Sequence, residues 1–326
     1  MKIMGYEFSF YKKEDFAEIE ELVLASYQWE YPIMGLSRLE FSAGLCPYFT
    51  GMERVWERTA GVYRENGKIV ACAISEANDD GGVFFLFDSK ENAQKEELMK
   101  EMLFFAKTTM SKCSEDHITR EVFLRIPEWN ETLKKVAEEN GFVKDGWVEK
   151  VNILPFSEEP YEVVLPEGYS FADGETTPAF YAANVHMAAF NYSMSSVKEG
   201  EKAFADLRKA KHYCPSLDLC ILDSQKRPVA MAVIWYDERM PYCELEPLGV
   251  AWWERRKHLA TAILHEAANR VRKMFPKCQG MLGGDQTFYE KIGYVQKAAV
   301  PVYKWKIEIY PSWDEKSKTR DYAKEM

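Results

Sequence analysis

An excess of positive charge, paired cysteines and long apolar runs are all missing from this chain. Its 42 Lys and Arg are outnumbered by 52 Asp and Glu, for a formal net charge of −10. Such a surface repels nucleic-acid backbones and anionic membranes and mildly favours cationic partners. The seven cysteines are odd in number, with neither CxxC spacing nor a Cys/His cluster. That argues against a disulfide framework or a zinc site and for free thiols in a reducing compartment, so no metal is expected. No window approaches the roughly eighteen uninterrupted apolar residues of a membrane span. The opening MKIMGYEFSFYKKEDF lacks the basic stretch, apolar run and small-residue cleavage site of a secretory signal, and the expected location is the cytoplasm.

What is present suits two α/β units. At 326 residues and 47% apolar content the chain is long for one domain and rich enough for ordinary cores. Pro and acidic residues interrupt the hydrophobic pattern at FSEEPYEVVLPEG, residues 156–168, which reads as a linker between residues 1–155 and 169–310, with a charged tail at 311–326. The first unit opens with the strand-like YEFSFYK and a helix from Asp15 to about Tyr27. TAGVYREN and KIVACAISEA follow as a hairpin turned at Asn66 and Gly67. GGVFFLF, a charged helix from about Glu91 to Met110, and EVFLRI come next, then the helix NETLKKVAEENGFV ending at Asn140 and Gly141. The second unit repeats this order at low identity: GYSFAD, PAFYAANVHMAAF, the hairpin LDLCILDSQKRPVAMAVIWYD, a strand, a turn and a helix, and finally FYEKIGYVQKAAVPVYKWKIEIY.

The most informative stretch runs from Leu245 to Lys273, LEPLGVAWWERRKHLATAILHEAANRVRK. Leu259, Ile263, Ala267 and Val271 recur at four-residue spacing, so a helix starts right after Arg255, Arg256 and Lys257. A helix start presents unpaired NH groups and the positive end of the dipole, and three cations before it suit a phosphate or pyrophosphate. Glu244 and Glu246 stand two apart on the preceding strand and face the same side. Both do not ionise easily in one dry cleft, so one carboxyl is expected to have a raised pKa.

The turn Arg255, Arg256, Lys257, His258, Leu259, Ala260 resembles the pyrophosphate loop of the GNAT acetyltransferase superfamily: Gln or Arg, two variable residues, Gly, one variable residue, then Gly or Ala. His258 stands where the family usually has Gly. The preceding ELEPLGV is similar to the family's fourth strand, and FYEKIGYV to its closing helix and strand. The resemblance implies two tandem GNAT-like domains, each a mixed, mostly antiparallel sheet flanked by helices. It implies acetyl-CoA as cosubstrate, bound by Leu248, Gly249 and Val250 on the strand and by Arg255 to Thr261 at the loop. It implies a small primary amine as acceptor; the net charge of −10 favours a cationic one, with no nucleic acid or membrane partner expected. By position Tyr289, four residues before Gly293, is the donor to the leaving thiolate, and Glu244, by the count used for histone-type members, or Glu246 is the base.

The first unit lacks the corresponding parts. After its strand it runs DSKENAQKEELMK, and aligning Gly141 with Gly293 sets Ala137 opposite Tyr289. It reads as a degenerate copy that walls the acceptor pocket. His186 reads as a core histidine, YQWEY at 27–31 as core or domain interface, and GGDQ at 283–286 replaces a segment where many relatives carry Asn. The alternatives to an N-acetyltransferase are a non-catalytic acyl-CoA-binding or sensing protein and an aminoacyl transferase drawing on charged tRNA. The acidic charge and the CoA-type loop disfavour the latter.

Overall fold

A computed structural model describes residues 2–3, 5–29, 33–42, 52–76, 81–115 and 118–308; the tail at 311–326 and Tyr31 lie outside them. Both units form by the expected logic. Strands β3 (Gly61–Glu65) and β4 (Lys68–Ile74) turn at Asn66 and Gly67, both at positive φ. Helix α5 (Glu131–Glu139) and helix α9 (Thr287–Ile292) are each followed by a glycine at positive φ, Gly141 and Gly293, where a side chain is disfavoured. The charged segment expected as one helix from Glu91 is a short 3₁₀ turn, then α4 (Glu96–Phe105), then a π turn over Ala106–Met110.

The units do not each keep their own sheet. β1 (Lys2–Ile3), β2 (Tyr6–Phe10), β3, β4, β5 (Gly82–Phe87) and β7 (Thr119–Arg125) of the first half run side by side, with β6 (Lys112–Cys113) beside β7. β9 (Ser170–Asp173), β10 (Asp218–Leu222), β11 (Pro228–Trp235), β12 (Cys243–Val250) and β13 (Gly280–Gly283) do the same in the second. The closing strands are exchanged. β8 (Val143–Pro155), from the first half, pairs with β13, with Leu282 opposite Ile153. β14 (Val295–Glu308), from the second half, pairs with β7, with Trp305 opposite Val122. β8 and β14 pair with each other at the centre, closing one continuous, mostly antiparallel sheet.

Helices cover both faces. α8 (Leu259–Met274) buries Leu259, Ile263, Ala267 and Val271 against β10, β11 and β12, the face that its spacing predicts. Complete burial of a side chain such as Ile263 contributes about 1.5 to 3 kcal/mol. On the other face of the second half, α6 (Ala179–Ala189) and α7 (Val197–Leu207) pack over Cys220, Met231, Val233 and Trp235. In the first half α1 (Phe16–Trp29), α2 (Leu36–Ser42) and α3 (Met52–Thr59) cover one face, and α4 and α5 the other. Residues 156–168 form no helix or strand and lie along α8. The Tyr161 backbone exchanges two hydrogen bonds with the Asn269 amide at 2.9 Å each, and His265 stacks on the Tyr161 ring.

Candidate active site

The site grows from the point where two parallel strands part. β12 pairs with β13 only at Cys243 with Met281 and Glu244 with Leu282. From Leu245 onward that edge of β12 has no strand beside it among the described residues, whereas its other edge stays on β11. The β11 ladder takes up an extra β12 residue between the Leu245 and Leu248 pairs. Pro247, which has no amide to give a ladder, sits inside this bulge.

Two cavities open there. One, about 300 Å³, is walled by His186, Phe204, Leu207, Glu246 and Pro247 of the second half, with Ser37, Arg38 and Glu76 entering from the first. The other, about 370 Å³, lies between Leu245 and Glu246 of β12 and the stretch from Leu282 to Asp285. Glu246, Ser37 and Arg38 face both.

The two glutamates, alike in sequence, have different surroundings. Glu244 is buried and fully engaged: it accepts hydrogen bonds from the Tyr27 hydroxyl, from Leu36 N at 3.2 Å and from Ser37 N at 2.9 Å. It thereby caps α2 from across the seam between the halves, and burial with the Glu244 charge raises Tyr27 well above its usual range. Among the described residues no donor bonds the Glu246 carboxylate. Exposed to the cleft it lines, it is pushed up to about 7, first by lost solvation and then by Glu244 and Glu76, with Arg38 opposing. One raised carboxyl of the pair is what the spacing predicts.

Arg38 is the site residue that sequence reading misses. It reaches from α2 to Glu149 at 2.6 Å and Glu76 at 3.4 Å, while Arg125 holds Glu149 from the other side at 2.8 Å. Burial disfavours the Arg38 charge, but Glu149 and Glu76 outweigh it and its pKa is raised. Nothing in LSRLE signals this, because its partners come from other elements. His186 lies among Phe190, Tyr192 and Phe204, and burial lowers it to about 4, so it is a neutral ring in the cavity wall. Tyr289, on α9, packs edge-on to Tyr294 with ring centroids 5.0 Å apart. Burial, and next the Glu246 charge, pushes its hydroxyl up to about 12, with the Gly284 amide opposing.

Beyond Val250 a 3₁₀ turn, Trp252–Glu254, leads to the basic turn and α8. The first helical bond runs from Ala262 N to His258 O at 3.0 Å, so the amides of Leu259, Ala260 and Thr261 face out of the helix start. The three cations are not equivalent. Arg255 donates to Ala189 O at 2.7 Å, and Lys257 reaches Glu254 at 2.8 Å and Tyr169 at 3.1 Å. Arg256 is exposed and has no side-chain partner among the described residues. In the first half the equivalent turn is closed by its own side chains: the Asn92 amide donates to Asp88 at 2.6 Å, the Ser89 hydroxyl accepts from the Asn92 backbone NH at 3.2 Å, and α4 begins with Glu96 and Glu97. An acidic helix start repels phosphate. Ala137, at the Tyr289 equivalent, is fully buried in the first core.

His258 adopts φ 60°, in the left-handed region, where a non-glycine residue costs about 1 to 2 kcal/mol. His258→Gly removes that cost and gives back about 0.4 to 1 kcal/mol through a freer unfolded chain. The expected net is a gain of roughly 0.5 to 1 kcal/mol in urea denaturation. A lower midpoint would mean that the imidazole makes contacts outweighing the strain.

No family model matches the sequence, and no curated protein matches it. The structure does match solved ones. A tandem GNAT protein from the clavulanic acid biosynthesis pathway aligns over 94% of this chain and 99% of its own, with TM-score 0.61 at 12% identity. A GCN5-related N-acetyltransferase from Sphaerobacter thermophilus aligns over 94% and 98%, with TM-score 0.59 at 13% identity. A GNAT-family acetyltransferase from Colwellia psychrerythraea aligns over 92% and 99%, with TM-score 0.56 at 10% identity. The chain has the tandem GNAT fold.

Proposed function

We propose that this tandem GNAT fold carries acetyl transfer from acetyl-CoA to the primary amine of a small, cationic acceptor. The second half binds the acyl donor, and the acceptor lies in the 300 Å³ cavity between the halves. The observation that carries this reading is the position of Glu246, whose side chain faces both cavities where β12 leaves β13; surroundings that raise its carboxyl support the same role.

Acetyl-CoA supplies an activated thioester carbonyl; the chain supplies the rest. An amine with a pKa near ~10.4 reaches the cavity protonated and attacks only after losing that proton. Glu246 is the carboxylate placed to take it, and with Glu76 it attracts the ammonium form. The unpaired edge of β12 over Leu248 to Val250 offers backbone groups to the donor's arm and to the oxyanion that develops during attack. The outward amides of Leu259 to Thr261, with Arg256 beside them, receive the pyrophosphate. Tyr289, pushed up to about 12, keeps its proton at neutral pH, so its hydroxyl is available to hydrogen-bond the leaving thiolate, although the shift makes it a weaker acid than an ordinary tyrosine. The first half supplies a wall and its arginine.

Release of free thiol from acetyl-CoA over a panel of small primary amines tests the reading. At least one cationic amine is expected to accelerate it, and Tyr289→Phe to lower the rate by about 10²-fold with donor affinity unchanged. That lies at the low end for a proton donor, since a thiol of ordinary pKa near ~8.5 leaves with little help. A protein that binds acetyl-CoA but releases no thiol with any amine is instead an acyl-CoA binder or sensor.

A further inference from the structure

At the seam between the halves, Glu20 of α1, Glu40 of α2 and His212 from the loop after α7 come together. Each offers a ligand atom, and these atoms lie within 4.8 Å of one another. Glu20 and Glu40 are each 2% exposed. Neither oxygen of Glu40 has a hydrogen-bond partner among the described residues, and a buried carboxylate without a donor is a costly arrangement. His212 is held from behind: its Nδ1 lies 3.5 Å from Asp237, which Arg239 grips at 2.7 and 2.9 Å, while its Nε2 lies 3.0 Å from Glu20. A carboxylate behind an imidazole turns the other ring nitrogen toward a metal in many sites.

We propose that Glu20, Glu40 and His212 form a site for a divalent first-row transition cation of the zinc or manganese kind, shared between the two halves. The donor set favours such a cation. Two carboxylates balance its charge and suit manganese as well as zinc, while the imidazole favours zinc over magnesium or calcium, which prefer oxygen alone. Lys211, which donates to the other Glu20 oxygen, is 62% exposed and can stay there or turn to solvent. The other candidate occupant is a proton shared by the carboxylates, since burial, and next Glu20, pushes Glu40 up to about 8.

The location gives the cation a positioning role. Glu40 lies two residues beyond Arg38 on α2, and His212 follows α7, whose Gly200, Ala203, Phe204 and Leu207 line the acceptor cavity. A bond across the seam fixes α2 against the end of α7, and with it the cavity's width.

The test uses the full chain, stripped with a chelator and titrated with zinc, manganese or magnesium chloride by calorimetry, with thermal melts alongside. Zinc is expected to bind at one equivalent and raise the melting temperature. Glu40→Gln and His212→Asn each remove a direct ligand and are expected to weaken it by at least about 100-fold, the upper end for losing only a ligand's outer-shell partner, with magnesium weaker than either transition ion. The site is refuted if the parent shows neither heat nor a melting shift with zinc, or if Glu40→Gln binds zinc as tightly as the parent. A Glu40→Gln protein that melts higher than a zinc-indifferent parent would assign the pair to a shared proton and likewise refute it. These readouts need no acetyl transfer, so this inference and the proposed function fail separately.

Discussion

Replacing Glu246 with Gln is expected to lower turnover at pH 7 by about 10²- to 10⁴-fold, the usual range for a positioned base, with no loss of thermal stability. The substitution keeps the shape of the side chain and removes its proton affinity. Because Glu246 is pushed up to about 7, kcat/KM of the parent should rise with pH through about 7, as the carboxyl loses its proton. The variant should lack that limb and recover much of its rate as pH approaches the amine's own pKa near ~10.4, where the acceptor arrives neutral. Stability follows the opposite course. A carboxyl whose folded pKa lies above its ordinary 4.5 makes the folded state bind more protons than the unfolded between about pH 4.5 and 7. Stability from this group is therefore lost as pH rises through that window. The melting difference, variant minus parent, should grow between pH 5 and 8. A variant with the parental rate and pH profile would move proton removal to a water chain or to the acceptor side.

Much of the second half could be read from the sequence because its signals are local. The four-residue spacing from Leu259 sets the buried face of α8, three adjacent cations mark its start, and Gly293 ends α9 four residues beyond Tyr289. What escaped were the relations between distant segments. Alternation along β8 and β14 tells which side chains face inward, but strand partners are chosen by the whole sheet, so the exchange of closing strands leaves no local trace. The glutamates show the same limit. Two residues apart on one strand, they are equivalent until Tyr27, Leu36 and Ser37, some 200 residues away in sequence, bond to one of them. The expectation of a raised carboxyl needed only their spacing, whereas its assignment to Glu246 needed those partners. Arg38 was invisible for the same reason: its ion pairs reach Glu76 and Glu149 from a helix whose sequence is ordinary.

Replacing Glu244 with Ala is expected to cost about 2 to 4 kcal/mol of stability, because buried neutral donors lose a charged acceptor. The Tyr27 hydroxyl and the Ser37 amide would lose their acceptor at once, and the Leu36 amide would keep only the Tyr27 hydroxyl at 3.1 Å. Each unpaired group costs about 1 to 3 kcal/mol alone, less in combination because water can enter from the cavity that Glu244 borders. Since β8 and β14 are exchanged, the halves cannot separate cleanly. Urea denaturation should therefore still show one transition, moved to lower concentration with its slope unchanged. A split transition would mean that the carboxylate, and not the exchanged strands, makes the halves cooperative. Gly35 gives an independent check, because a Cβ there would collide with both Glu244 oxygens. Gly35→Ala should be destabilising in the parent and much less so in the Glu244→Ala background, where the obstacle is gone. Additive losses in that double-mutant cycle would show that the glycine serves something other than the approach of α2 to Glu244.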